Sequence, residues 1–313
     1  VTTTRTVPLI RAAKRRSGSQ PLVMVTAYDA PSTRVANEAD VDLILVGDSV
    51  AMVVLGHDNT LAVTIDDMAY HVAAVTRAQP SALVVGDLPW MSYHVSAAET
   101  VNNAAKLIRA GADCVKLEGG VKRLPMIEAI LAAEIPVMGH IGLTPQSANV
   151  MGGFKVQGRK FAAARRLVTD GEQLEQAGCF AVVIEGVPDA VGKMVTDALD
   201  IPTIGIGAGA DTDGQVLVYH DIIGLENRFK PRFVRRYGTA FDDQVGALTR
   251  FAEDVRNRTF PSPEETYQAD DRLTGDIGLY GSPIAGSSSA THPPTADTPP
   301  PTTTTSFTTT ERK

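Results

Sequence analysis

Asp48, Asp87, Lys116, Glu118, His140 and Glu185 each follow or sit within a short run of apolar, mostly β-branched residues, and each can bind a cation or move a proton. Asp48, Asp87 and Glu118 offer carboxylate oxygen on three successive runs, with no cysteine in an equivalent place. Hard oxygen donors favour Mg²⁺, or Mn²⁺, and leave coordination positions for water or substrate oxygens. Any one of these carboxylates alone reads more readily as a loop cap or a surface charge; three in succession reverse that reading. Lys116 either pairs with a substrate carboxylate or bridges to Glu118 or another acid. A lysine among carboxylates keeps its proton, which makes it a poor amine nucleophile for Schiff-base chemistry. Glu185 follows Ala-Val-Val-Ile and precedes Gly186-Val187-Pro188. Apolar surroundings raise a carboxyl pKa toward that of a working general base. The other reading of Glu185 is an N-cap for a helix starting near Pro188, and the residues alone leave the two open. His140, in Gly139-His140-Ile141-Gly142, reads as a hydrogen-bonded orienting group rather than a ligand.

The runs themselves are what could gather these residues. Eight are present, at 22–26, 43–46, 83–86, 114–117, 136–139, 181–184, 203–206 and 216–219. They are too continuous for one-sided antiparallel strands and suit a parallel sheet buried on both faces. The segments between them read as helices. Ser96-Ala97-Ala98-Glu99 has the form of a capping box, and Gly111 suits the left-handed position past the end of that helix. Ile65, Met68, Ala69, Val72 and Val75 line one helical face after Thr64, a fitting N-cap, and 161–176 reads as a helix ended by Gly178. Ala110 to Gly119 and Ala177 to Gly186 echo each other, both reading helix end, strand, then Glu-Gly. Eight repeated β/α units favour a closed (β/α)₈ TIM barrel over an open doubly wound sheet. The C-terminal strand ends of such a barrel converge on one mouth, where active sites are built. The expected rim is Asp29, Asp48-Ser49, Asp87, Lys116 with Glu118, His140, Glu185, the glycines of 205–209 and His220-Asp221. Lys116 and Glu118, two apart, point the same way. The glycines suit either phosphate-binding amides or tight packing. The chain has no GxGxxG in a strand–helix context and no Walker motif.

Composition bounds the rest. The chain has 313 residues, 43% hydrophobic, and its 29 Lys+Arg against 36 Asp+Glu leave a net charge of −7. That balance argues against nucleic acid or an anionic membrane as a partner. Residues 1–271 are expected to form a single barrel domain with an N-terminal helix and C-terminal helices. The cluster Arg11, Lys14, Arg15 and Arg16 is expected to cap that N-terminal helix. Residues 272–313 read as a disordered tail, since 282–313 alone hold 10 Thr, 6 Pro and 5 Ser. Cys114 and Cys179 lie in apolar runs without zinc-type spacing, which suits a reducing cytosol. With no stretch of signal-peptide character at the start, a cytoplasmic protein is expected.

Read together, several stretches resemble the ketopantoate hydroxymethyltransferase family. They are Val25-Thr26-Ala27-Tyr28-Asp29, Val46-Gly47-Asp48-Ser49, Gly86-Asp87-Leu88-Pro89 and Val115-Lys116-Leu117-Glu118-Gly119-Gly120. Further along come Gly139-His140-Ile141-Gly142-Leu143-Thr144-Pro145-Gln146, Gly152-Gly153-Phe154-Lys155-Val156-Gln157-Gly158-Arg159 and Gly205-Ile206-Gly207-Ala208-Gly209. The resemblance spans about residues 20 to 235, and the Thr/Pro-rich tail lies outside it. It implies one Mg²⁺ per subunit held by Asp48, Asp87 and Glu118, with a 2-oxo acid chelating the metal. It implies substrate contacts from Asp48, Ser49, Asp87 and Lys116, Glu185 as the base, and supporting roles for His140 and the 155–159 segment. The implied reaction is enolisation of 3-methyl-2-oxobutanoate and hydroxymethyl transfer from 5,10-methylenetetrahydrofolate to give 2-dehydropantoate, in pantothenate biosynthesis. A homodecamer is implied in the same way. Two alternatives stand beside it. Related pyruvate-enolate barrel lyases and mutases include isocitrate lyase, which uses a Lys-Lys-Cys-Gly-His loop; both cysteines here precede or begin strands. A barrel kept only for binding or assembly should have lost a metal carboxylate or the base, and all are present.

Overall fold

Parallel strands with two apolar faces need cover on both sides, and closing the sheet on itself supplies one of them. In the computed structural model, residues 4–14, 20–225 and 230–268 are described. The strands are β1 (Leu22–Thr26), β2 (Leu43–Val46), β3 (Leu83–Asp87), β4 (Cys114–Lys116), β5 (Val137–Gly142), β6 (Ala181–Glu185), β7 (Thr203–Ile206) and β8 (Gly214–Leu217). They pair in chain order, all parallel, and β8 returns to β1, so the expected (β/α)₈ barrel is the fold. The helices, in chain order, are α1 (Val7–Ala12), α2 (Ala30–Glu38), α3 (Val50–Val53), α4 (Ile65–Thr76), α5 (Ala97–Arg109) and α6 (Leu124–Ala132). They continue with α7 (Ala148–Met151), α8 (Phe161–Ala177), α9 (Asp189–Ala198), α10 (Tyr219–Ile222) and α11 (Ala240–Asn257).

The period of two in each strand builds the interior in layers. Met24, Leu43, Leu45, Leu83, Val85, Cys114, Met138, Ala181, Val183, Ile204 and Val216 form one buried apolar cluster inside the barrel. The alternate residues, including Val25, Ile44, Val84, Val115, Val137 and Val182, join a second cluster with the helices. Two residues beyond the inward apolar positions of β3, β4, β5 and β6 come Asp87, Lys116, His140 and Glu185. Apolar fill is therefore the floor on which the ionisable layer stands.

Ile10 of α1 joins the interior cluster beside the strand starts. Lys14 donates to Asp213 Oδ2 at 2.9 Å and to the Thr196 carbonyl at 2.7 Å. It anchors the N-terminal segment to the start of β8 and does not cap α1, whose last turn holds Arg11. Arg15 and Arg16 lie outside the described residues. The helix signals hold in part. Thr64 and Asp67 form a reciprocal capping box on α4, whereas Ser96 accepts from the Glu99 amide at 3.1 Å without the return bond. Gly111 and Gly178 both take φ near +109° past helix ends.

Two strand boundaries differ from expectation. β5 runs on to Gly142, paired with Glu185, so His140 lies inside a strand and not at its end. β8 starts two residues early, at Gly214 opposite Leu22, and its pairing with β1 stops at Leu217. The Tyr219 amide then turns to Thr26 Oγ1 at 3.0 Å, and His220 and Asp221 fall on α10. Asp29 is the N-cap of α2, accepting from the Ser32 amide at 2.8 Å.

The chain divides into two compact units at Arg250. The first carries the barrel. In the described part of the second, the Phe251 and Phe260 rings meet at 5.4 Å and Ser262 caps a 3₁₀ turn at Pro263–Glu265. The tail expected over 272–313 lies outside the described residues. Among the described residues no helix is long and apolar enough to cross a membrane.

Candidate active site

The register of β3 against β4 sets Asp87 beside Lys116, and their side chains close an ion pair of 2.8 Å. Both are buried, at 2% and 4% side-chain exposure. Burial alone would pull the lysine down, but the Asp87, Glu118 and Asp48 carboxylates hold it above its ordinary range. Lys116 is held protonated, a poor nucleophile for Schiff-base chemistry, and its ion-pair partner within the chain is Asp87.

Asp48 follows β2, and its amide donates to Asp87 Oδ2 at 3.2 Å. Burial first, and then the Asp87 charge, push the Asp48 carboxyl up to about 7, against the pull of Lys116 and a hydrogen bond from Gln146. Glu118 is likewise raised well above the carboxylate range by burial and by Asp48. Ser49, next to Asp48, hydrogen-bonds the Tyr28 hydroxyl at 2.8 Å.

His140 stands between the lysine and the remaining acid. Burial, then Lys116, push its pKa well below the usual imidazole range, so the ring is neutral. Lys116 Nζ lies 3.4 Å from Nδ1, and Glu118 Oε1 lies 3.7 Å from the same nitrogen. Nε2 lies 3.3 Å from Glu185 Oε2, outside hydrogen-bond geometry. Glu185 itself retains 16% side-chain exposure, and burial raises its carboxyl to about 7 while Lys116 pulls the other way. It does not cap α9, whose N-cap is Pro188. The apolar-strand reading of Glu185 is the one its surroundings match.

The glycines of 205–209 serve packing. A Cβ on Gly205 would meet Thr212 Oγ1 at 2.6 Å, and one on Gly209 would meet Asp189 Cβ at 2.7 Å. Cys114 and Cys179 are free and buried, and burial pushes both thiols up, Cys179 to about 12. Neither is a nucleophile.

The structure thus brings Asp48, Asp87, Lys116, Glu118, His140 and Glu185 into one layer, while Asp29 caps α2 and His220 stands beside Tyr28, with ring centroids 5.6 Å apart. Three further side chains complete it: Tyr28 on Ser49, and the pair Gln146 and Tyr93 among the carboxylates. Tyr28 and Gln146 lie in the stretches quoted above without an assigned role. Tyr93 sits in the loop after β3, where no period or motif signals it.

Four carboxylates face one fixed cation here. Among the described residues no three His, Cys, Asp or Glu side chains are arranged to hold a metal ion between them. The donor chemistry nevertheless fits a hard divalent cation that keeps substrate or water oxygens: oxygen-only, buried, and carrying excess negative charge that desolvation makes costly.

A closed parallel barrel with an acid-and-lysine layer at its strand ends is a (β/α)₈ enzyme. Solved barrels similar to it include phosphonopyruvate hydrolase, with TM-score 0.55, 14% identity, and coverage of 87% of this chain and 94% of that one. Another is 2,3-dimethylmalate lyase, a PEP mutase/isocitrate lyase superfamily member, with TM-score 0.53, 17% identity, and coverage of 83% and 91%. At these identities the likeness is one of fold. The model of the ketopantoate hydroxymethyltransferase family matches residues 4–263. The chain is 51% identical over 268 residues to 3-methyl-2-oxobutanoate hydroxymethyltransferase 2 of Bradyrhizobium diazoefficiens, covering 86% of this chain and 91% of that one. It is 52% identical over 262 residues to the 3-methyl-2-oxobutanoate hydroxymethyltransferase of Methylobacterium sp., covering 84% and 90%. The chain belongs to the ketopantoate hydroxymethyltransferase family, and is a transferase of hydroxymethyl groups.

Proposed function

We propose that this chain removes the C3 proton of 3-methyl-2-oxobutanoate and joins that carbon to the one-carbon unit of 5,10-methylenetetrahydrofolate. The observation that carries the reading is Glu185: a carboxyl raised to about 7, the most exposed acid of the layer, beside a neutral histidine. Its carboxylate takes the C3 proton and leaves an enolate. C3 then forms the new carbon–carbon bond, water supplies the hydroxyl, and 2-dehydropantoate and tetrahydrofolate leave. Lys116 screens the substrate carboxylate, and its ion pair with Asp87 keeps the ammonium in place. Asp48 and Ser49 contact the oxo acid from the end of β2, and Asp87 does so from β3. His140, with Nε2 3.3 Å from Glu185 Oε2, orients Glu185 or a substrate oxygen.

Asp48, Asp87 and Glu118 would hold one Mg²⁺ per subunit, Asp48 and Asp87 being linked directly and Glu118 through Gln146. Bound there, the ion would polarise the keto oxygen and stabilise the charge left when C3 loses its proton. A homodecamer is part of the same reading. It is supported by the apolar residues that a single chain leaves uncovered on α11, with Phe241 37%, Val245 48% and Leu248 68% exposed.

The test is proton–deuterium exchange at C3 followed by NMR, with and without Mg²⁺ and without folate. Metal-dependent exchange is expected, followed by 2-dehydropantoate once methylenetetrahydrofolate is added. Absence of both products with metal present would sink the proposal.

A further inference from the structure

Gln146 occupies the turn after β5, at Pro145–Ser147, and is 5% exposed. Every polar hydrogen it owns is committed. Its backbone amide donates to Glu118 Oε2 at 3.0 Å, and its Nε2 donates to Asp48 Oδ2 at 2.9 Å and to the Leu88 carbonyl at 3.0 Å. Its Oε1 accepts the Tyr93 hydroxyl at 2.6 Å. The amide orientation is not free, because the Leu88 carbonyl can only accept, so Nε2 has to face it. Tyr93 is fixed in turn. With its one proton given to Gln146, its oxygen accepts the Glu118 amide at 3.3 Å, and the Arg123 guanidinium lies 5.3 Å from the ring centroid.

One side chain therefore grips an oxygen of Asp48 and, through its own backbone, an oxygen of Glu118, leaving the second oxygen of each carboxylate out of its grasp. We propose that Gln146, locked in orientation by Tyr93, is the positioning residue that sets Asp48 and Glu118 for a divalent cation, an inference that rests on the metal-assisted reading above. Neither residue touches the reacting atoms. Gln146 acts through the carboxylates it holds and Tyr93 through Gln146, as hydrogen-bond partners behind metal ligands do elsewhere, where their loss costs about 10- to 100-fold in metal affinity.

The experiment is Mn²⁺ binding to the full chain, followed by the loss of the free-ion electron paramagnetic resonance signal. Gln146→Leu should raise the Mn²⁺ dissociation constant about 10- to 100-fold. Tyr93→Phe, which keeps the ring and removes one hydroxyl, should raise it about fivefold, a smaller part of the same penalty. Both variants should keep the unaltered chain's circular dichroism, and a merely structural role would move the melting temperature without moving metal affinity. Unchanged affinity in Tyr93→Phe overturns the proposal even where Gln146→Leu fails to fold. Failure of the unaltered chain to bind Mn²⁺ is a different result, which overturns the metal reading and this inference with it.

Discussion

Glu185 titrates near 7 because the apolar top of β6 surrounds it, so its base form grows with pH through the neutral range. Below that value C3 exchange should climb about tenfold per pH unit and then level off about one unit above it. Glu185→Gln should lose about 10²- to 10⁴-fold in exchange, together with that pH slope, while still binding the oxo acid. The same shift bears on stability. Burial lifts the folded carboxyl from 4.5 to about 7, so between those values the folded chain binds the extra proton and loses stability as pH rises. In the cation-free chain Glu185→Gln should therefore stabilise at pH 8 by at most about 3 kcal/mol, and not at pH 4, read from urea midpoints. Asp48→Asn acts elsewhere: it should weaken Mn²⁺ and oxo-acid binding together, by calorimetry, because both proposed contacts draw on its carboxylate.

At the scale of elements, the placement of Glu185, the proposed base, depends on how β5 ends against β6. Gly142 pairs with Glu185 at φ +97°, and a Cβ there would strike the Glu185 carbonyl oxygen. Gly142→Ala should cost more than about 2 kcal/mol in denaturant unfolding, from the left-handed backbone and the clash together. It should also depress kcat more than KM, since the displaced strand end carries the proposed base, Glu185, and not Lys116. Helix signals were legible in the chain because they are local: Thr64 and Gly111 do what their types and positions require. The Ser96 box formed only by half, since its serine bond needs one neighbour and the return bond needs a rotamer that solvent does not enforce.

For the whole molecule, α11 has no buried residue among those described, and its apolar side chains suit a surface shared between copies. In the proposed homodecamer, Leu248→Asp should give smaller species in sedimentation velocity than the unaltered chain, without changing far-ultraviolet circular dichroism. Ending the chain at residue 271 should leave exchange activity and assembly unchanged, because the removed composition cannot build a core. Loss of folding on that truncation would show that the tail belongs to the domain.

Short apolar runs bounded by turns, repeated eight times, specify a closed parallel barrel, and inward phase in each strand places Asp87, Lys116, His140 and Glu185 at one end of it. That much is local chemistry with a period of two, readable from the chain alone. The pairings are another matter. Lys116 reaches Asp87 rather than Glu118 because β3 and β4 align those two residues, and no single strand carries that register. β8 stops at Leu217, against the apolar run that continues to Tyr219, because the Tyr219 amide turns onto the Thr26 hydroxyl of β1 instead of extending the ladder. Gln146 and Tyr93 come from two loops 53 positions apart and meet only over the finished barrel. Side-chain type and phase are properties of the chain; contacts between elements depend on register and loop path, which exist only once the barrel has closed.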